Sequence, residues 1–209
     1  VVLVRVILVN GSPHYKGCTY TALTEIVTSL ETQGVETEIF QLGTKPVSEC
    51  IACGFCRKKK GCFIDDSVNE FVAKAKTADA FIFGSPVHYA GLSGSLTSFL
   101  DRVFYSAGSE FHHKPGAGIV SCRRGGATAA FDQLNKYFTI NQMPIVSSQY
   151  WNMVHGNTAE EVKQDLEGLQ TMRVLGNNLG WLLTCIEAGK KAGISYPLQE
   201  PRQMTNFIR

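Results

Sequence analysis

The feature that most constrains this chain is an alternation, in which short apolar runs recur between stretches whose apolar residues follow a helical period. Such alternation is the behaviour of βαβ units, and it predicts an α/β fold with a parallel sheet covered by helices on both faces. Residues 1–9 read as the first strand, nearly continuous in apolar side chains as a doubly buried strand must be. Ala22, Leu23, Ile26, Val27 and Leu30 then share one helical face from Thr19 onward, and Gly34 supplies a stop. Residues 35–40, 80–83, 116–121 and 144–148 complete a set of five strands. Between them lie helical stripes at Val68, Phe71, Val72 and Ala75, at Leu96, Phe99, Leu100, Val103 and Phe104, and at Ala127, Phe131, Leu134 and Phe138. Ser67 with Glu70 reads as a capping box for the first of these stripes. Thr158 with Glu161 reads as another, opening a long helix through Val162, Leu166, Leu169, Met172 and Leu179.

At 209 residues, 44% hydrophobic, the chain packs around one continuous sheet, so residues 1–209 are expected to form a single domain. One excursion, residues 41–66, has no clear period, and long loops of this kind are usually functional. The formal net charge of only +2 gives no general attraction to a polyanion, which argues against nucleic acid or an anionic membrane as partner. The run Arg57, Lys58, Lys59, Lys60 reads as a solvated loop. The apolar N-terminal stretch is too short to cross a bilayer, and no later segment reaches that length. Four of the seven cysteines crowd into Cys50, Cys53, Cys56 and Cys62, which suits a reducing, cytoplasmic setting better than a disulfide framework.

Three loops follow expected strands and precede expected helices, which is where open α/β sheets bind ligands. The first, Gly11 to Thr19, offers backbone N–H groups at a helix N-terminus, the hydroxyls of Ser12 and Thr19, and the charge of Lys16 to a phosphate. It carries neither G-x-G-x-x-G nor the Gly-Lys-Ser/Thr ending of a Walker sequence. An ordinary Gly/Pro turn with a helix cap is the other reading of the same residues. The second loop, Gly84 to Gly91, sets rigid Pro86 before Val87, His88 and Tyr89, which present polar main chain and a flat wall to a planar ring. For His88 a packing or hydrogen-bonding role is preferred to acid–base catalysis. In the third loop, Ser121, Cys122, Arg123, Arg124, Gly125 and Gly126, the glycines permit close backbone approach and an arginine can stabilise negative charge on a bound ring.

Together with Leu100-Asp101-Arg102 and the stretch Met143 to Asn152, these loops resemble the NADPH-dependent FMN reductase branch of the flavodoxin-like superfamily over nearly the whole chain. The resemblance implies a flavodoxin-like three-layer sandwich with sheet order 2-1-3-4-5 and bound FMN. The phosphate would lie on the first loop, against Ser12, His14, Lys16, Cys18, Thr19 and Tyr20. The isoalloxazine ring would lie among Pro86, Val87, His88, Tyr89, Ser121, Arg123, Arg124, Gly125 and Gly126. No side chain is required as a general acid or base, because flavin N5 carries the chemistry. Many relatives carry Asn where this chain has Cys18, and a thiol is the poorer donor, so Cys18 is expected to act through its backbone N–H. The resemblance further implies a homodimer or homotetramer, with Tyr150 and Trp151 either covering a ring face or packing in the core.

The spacing C-x2-C-x2-C-x5-C of Cys50, Cys53, Cys56 and Cys62 resembles the compact motif of iron-sulfur flavoproteins. Four thiolates in one short loop can close around a 4Fe-4S cluster, with the basic run offsetting its charge. Zinc is the weaker option, since four-thiolate zinc sites usually use two separated knuckles. Reduced thiols are the remaining reading, because occupancy does not follow from spacing. With FMN alone, the implied cycle takes hydride from NAD(P)H and reduces a quinone, azo compound, flavin or similar small-molecule acceptor. With a cluster, the chain becomes an electron-transfer carrier to a ferredoxin-like partner.

Overall fold

The structure is a computed structural model and describes residues 4–59, 61–205 and 207. Its centre is a five-stranded parallel sheet of order β2-β1-β3-β4-β5, built from β1 (Arg5–Asn10), β2 (Glu36–Gln41), β3 (Ala80–Pro86), β4 (Gly116–Cys122) and β5 (Met153–His155). Every strand pair is parallel, so each connection must cross over a face, and helices accordingly cover both. One face packs against α1 (Cys18–Glu31) and α7 (Leu166–Lys191) through Leu8, Ile26, Ile82, Leu175 and Leu179. The other packs against α3 (Ser67–Ala75), α4 (Gly94–Ala107) and α5 (Ala127–Ile140) through a phenylalanine cluster. There Phe71, Phe81, Phe83, Phe99 and Phe111 meet at centroid separations of 4.7–6.3 Å, the range of favourable edge and offset contacts. The three-layer arrangement and the flavodoxin-like sheet order match the expectation.

Of the expected strand 1–9, β1 covers Arg5–Asn10, and residues 1–3 lie outside the described residues, as does Lys60 of the basic run. Three differences from the sequence reading have physical causes. Residues 144–148 are not the fifth strand: Pro144 has no N–H to donate, and the segment makes only an isolated bridge between Ile145 and Gly116. The chain pairs with β4 only at Met153–His155. The cap of α3 is Asp66, whose carboxylate accepts from Val68 N, so Ser67 is already inside the helix. The expected long helix from Thr158 is split into α6 (Ala159–Val162) and α7, because Asp165 stops the chain and caps α7 by accepting from Gly168 N. Within residues 41–66 a short α2 (Phe55–Lys58) forms. Among the described residues, no helix is long and apolar enough to cross a membrane.

Candidate functional site at the carboxyl rim of the sheet

Parallel strands deliver all their carboxyl ends to one edge, so the loops after β1, β3 and β4 emerge side by side. Direct bonds tie them together. Gly11 N donates to Gly84 O at 2.8 Å, Ser93 Oγ donates to Gly11 O at 2.8 Å, and Ser93 N donates to Ser85 Oγ at 3.0 Å. Val87 N donates to Ser121 O at 2.9 Å, and the hydroxyls of Thr19 and Ser121 lie 2.9 Å apart. Gly84 is glycine for a reason: a Cβ there would stand 2.8 Å from Thr19 Cγ2.

In the first loop, Asn10 at the end of β1 accepts from Ser12 N and donates to Gln41 Oε1, while Gln41 Nε2 donates to Ser12 O. Sequence reading missed both Asn10 and Gln41; an amide at the last residue of each of two neighbouring strands was the available signal. Ser12 is buried, its Oγ accepting from His14 N, whereas His14 and Lys16 are exposed. Cys18 and Tyr20 are half-buried, and Tyr20 stacks on Tyr15 at 5.9 Å. Helix α1 starts at Gly17 with no side-chain cap and no acidic residue in its first turn. Thr19 is buried and turned inward to Ser121, so its hydroxyl serves the join between loops rather than standing open at the rim. Cys18 Sγ points to Gly156 O at 3.6 Å, and burial, with smaller contributions from Glu161 and Glu160, pushes the thiol up against the opposing pull of its own backbone N–H.

The second loop closes between His88 and Gly91, which exchange two backbone bonds of 2.9 Å. Its two central residues, Tyr89 (φ 49°) and Ala90 (φ 60°), are both left-handed, a geometry that ordinarily selects Asn-Gly. The turn leaves the Tyr89 ring wholly in solvent and His88 exposed, with Pro86 and Val87 half-buried beneath. In the third loop Ser121 is buried, and Arg123, Arg124 and Gly125 are exposed. Gly126 (φ 87°) fits against the second loop so closely that a Cβ would lie 2.8 Å from Ala90 Cα. Beside it opens a cavity of about 460 Å³ lined by Arg124, Gly126, Tyr150, Trp151, His155 and Asp165. Tyr150 and Trp151 therefore face this cavity at roughly half exposure and are not core residues.

The cysteine loop lies elsewhere, against the far half of α4. Cys50 and Cys53 are exposed and Cys56 and Cys62 half-buried, and all four line one cavity of about 390 Å³ with Arg57, Arg102 and Tyr105. Among the described residues no three His, Cys, Asp or Glu side chains are close enough to hold a single metal ion. Beneath the loop, Arg102 is 1% exposed and forms a two-pronged ion pair with Asp66 (2.6 and 2.9 Å).

A parallel 2-1-3-4-5 sheet with a loop rim of this kind defines the flavodoxin-like class of α/β proteins. The same fold occurs in a flavodoxin from the domain Archaea (TM-score 0.59, 14% identity, 87% of this chain and 99% of that one). It occurs again in an NAD(P)H:quinone oxidoreductase from Methanothermobacter marburgensis (TM-score 0.65, 17% identity, 85% and 97%). Residues 4–158 match the NADPH-dependent FMN reductase family, and the chain belongs to that family of redox flavoproteins. It is similar to an iron-sulfur flavoprotein of Methanocaldococcus jannaschii, 31% identical over 191 residues that cover 88% of this chain and 99% of that protein.

Proposed function

We propose that this chain is an FMN-dependent electron-transfer oxidoreductase that also carries a 4Fe-4S cluster on its cysteine loop. The observation that carries the flavin half is the direct bonding of the three loops into one rim, above all Thr19 to Ser121 and Val87 to Ser121. FMN fits the donor set: an uncapped helix start without acidic residues and the exposed Lys16 favour a dianion, and the loops after β3 and β4 leave polar main chain and aromatic surface for a ring. The cysteine half is supported by four thiols lining one cavity. A four-iron cluster suits such spacing, because each sulfur ligates a different iron and the thiolates stand farther apart than around one ion.

When bound, FMN supplies exchange of electron pairs with a donor such as NAD(P)H, and a 4Fe-4S cluster supplies single-electron exchange with a ferredoxin-like or small-molecule acceptor. The chain's residues bind and orient. Backbone N–H groups of Cys18, Thr19 and Tyr20, with Ser12, His14 and Lys16, hold the phosphate. Pro86, Val87, His88 and Tyr89 support one side of the ring, and Ser121 and Gly125–Gly126 allow close approach on another. Arg123 or Arg124 offsets negative charge there. Cys50, Cys53, Cys56 and Cys62 hold the iron. Tyr150 and Trp151, exposed beside the 460 Å³ cavity, are placed to meet an electron donor or a second subunit of a homodimer or homotetramer. Clustered free thiols accord with a reducing, cytoplasmic setting.

Anaerobic purification followed by assay of FMN, iron and acid-labile sulfide tests both halves. About one flavin and four irons per chain are expected; protein full in FMN but free of iron removes the cluster and leaves an FMN reductase. The family match favours NADPH as donor, and failure of both NADPH and NADH to bleach the bound flavin removes the nicotinamide step.

A further inference from the structure

An arginine on the apolar stripe of α4, among Leu96, Phe99, Leu100 and Val103, is out of place unless something buried needs it. What Arg102 reaches is the last cysteine of the loop. Its Nε donates to Cys62 Sγ at 3.3 Å, while its other two nitrogens are fixed by Asp66, by Ile64 O at 2.8 Å and by Ser48 O at 3.3 Å. The fork thus ties both ends of the cysteine loop to one helix and leaves its third edge aimed at the sulfur. Asn69 completes the hold, donating to Cys62 O and accepting from Cys62 N, both at 2.9 Å. Cys62 is held in this way at its sulfur and at both backbone groups, whereas Cys50 and Cys53 stand exposed.

Resting on the cluster reading above, we infer that Arg102 is a positioning residue for the iron-sulfur centre: its guanidinium donates a charge-assisted hydrogen bond to the Cys62 thiolate and raises the reduction potential of the cluster. A hydrogen bond to a ligating sulfur favours the more electron-rich, reduced state, and a buried cation strengthens that preference. Lysine cannot reproduce the role, because a point charge cannot grip Asp66 in two places and still present a fixed N–H to the sulfur.

The test compares Arg102→Lys and Arg102→Gln with Asp66→Asn in anaerobically reconstituted protein. All three disturb the buried ion pair and are expected to lower the melting temperature. The Arg102 variants should also shift the cluster midpoint to a more negative potential and speed iron loss to a chelator by about 10- to 100-fold, whereas Asp66→Asn, which loosens the guanidinium but keeps it, should shift the midpoint less. Equal potentials and iron retention in Arg102→Gln and the unsubstituted protein would overturn the assignment, as would an Asp66→Asn variant showing the same potential shift. An unsubstituted protein that takes up no iron or sulfide rejects instead the cluster on which the inference rests. Should neither Arg102 variant fold, pulsed electron paramagnetic resonance of the reduced cluster in ¹⁵N-arginine protein decides, using an Arg57→Lys background to remove the other arginine at the cavity. A resolved ¹⁵N coupling is expected, and its absence refutes the bond.

Discussion

The hydroxyl of Thr19 lies 2.9 Å from that of Ser121, joining the first turn of α1 to the end of β4 across the sheet edge. Both side chains are buried, so each is the other's means of satisfying a hydroxyl out of reach of water. The pair sets the distance between the loop assigned to the phosphate and the loop assigned to the ring.

Thr19→Val keeps the shape and removes the bond, leaving Ser121 with a buried hydroxyl that has lost its partner. The expected cost is about 1–2 kcal/mol of unfolding free energy, read from urea titration. Because the pair spans two loops, FMN and riboflavin should weaken together in fluorescence titration. Ser12→Ala should weaken FMN more than riboflavin, since only FMN carries the anion.

Cys18 bonds through its thiol to Gly156 O, away from the helix start. Cys18→Ala is therefore expected to change FMN affinity by no more than about twofold, as a backbone donor survives the change. A larger loss would place the thiol itself on the phosphate.

Tyr89 adopts a left-handed conformation that costs an ordinary residue about 1 kcal/mol relative to glycine. Tyr89→Gly should raise the melting temperature of the apoprotein and at the same time weaken FMN, because the ring is fully exposed and contributes nothing to the core. Unchanged FMN affinity would show that the ring plays no part in binding.

Adjacent glycines in the third loop should respond oppositely. A Cβ at Gly125 meets nothing within 4 Å, so Gly125→Ala should leave stability unchanged. Gly126→Ala combines a φ of 87° with a 2.8 Å approach to Ala90 Cα and should cost about 1–3 kcal/mol, with loss of FMN as the second and third loops separate.

Glu38 on β2 lies between Lys74 and Arg5. Burial pushes its carboxyl up, but hydrogen bonds from Lys74 and Arg5, with their charges, outweigh that and hold it below the usual carboxylate range. A carboxyl lowered on folding stabilises the protein fully above its unfolded value of about 4.3, and that contribution is lost as pH falls toward the folded value. Glu38→Gln is expected to cost about 0.5–1 kcal/mol near neutral pH, because the site is partly solvated. The gap should close as pH falls below the folded carboxyl's own lowered value, where the glutamic acid is uncharged like the glutamine.

Strands β1, β3 and β4 were legible because buried parallel strands are apolar on both faces, whereas the edge strand β2 keeps Glu36 and Glu38 in its sequence and was legible only from its place after a helix stop. β5 was not: three residues, Met153–His155, are too short for a period, and the apolar stretch around Ile145 is a stronger signal than the strand itself. The split between α6 and α7 was hidden for a different reason. Asp165 stops the helix through a bond to the backbone of His155, ten residues back, which helical periodicity does not register. At the rim, loop positions could be read from strand order, but the inward turn of Thr19 depends on Ser121, 102 residues away. The role of Arg102 was not legible from Leu100-Asp101-Arg102 alone, although a charge inside an apolar stripe was the sign that a buried partner existed.

Helix α4 is capped by Ser93, bonded into the loop rim at the sheet edge, and nine residues later carries Arg102 beneath the thiols. The spacing between Ser93 at the rim and Arg102 under the thiol loop is therefore that of a rigid rod, about 13 Å along its axis, and not of a pliant linker. Inserting one residue between Phe99 and Arg102 would swing the guanidinium about 100° off its partners and dismantle the thiol loop while the rim stayed whole. The length of the cysteine excursion is free of this constraint, whereas the phase of the rod alone decides whether the guanidinium meets the thiol loop.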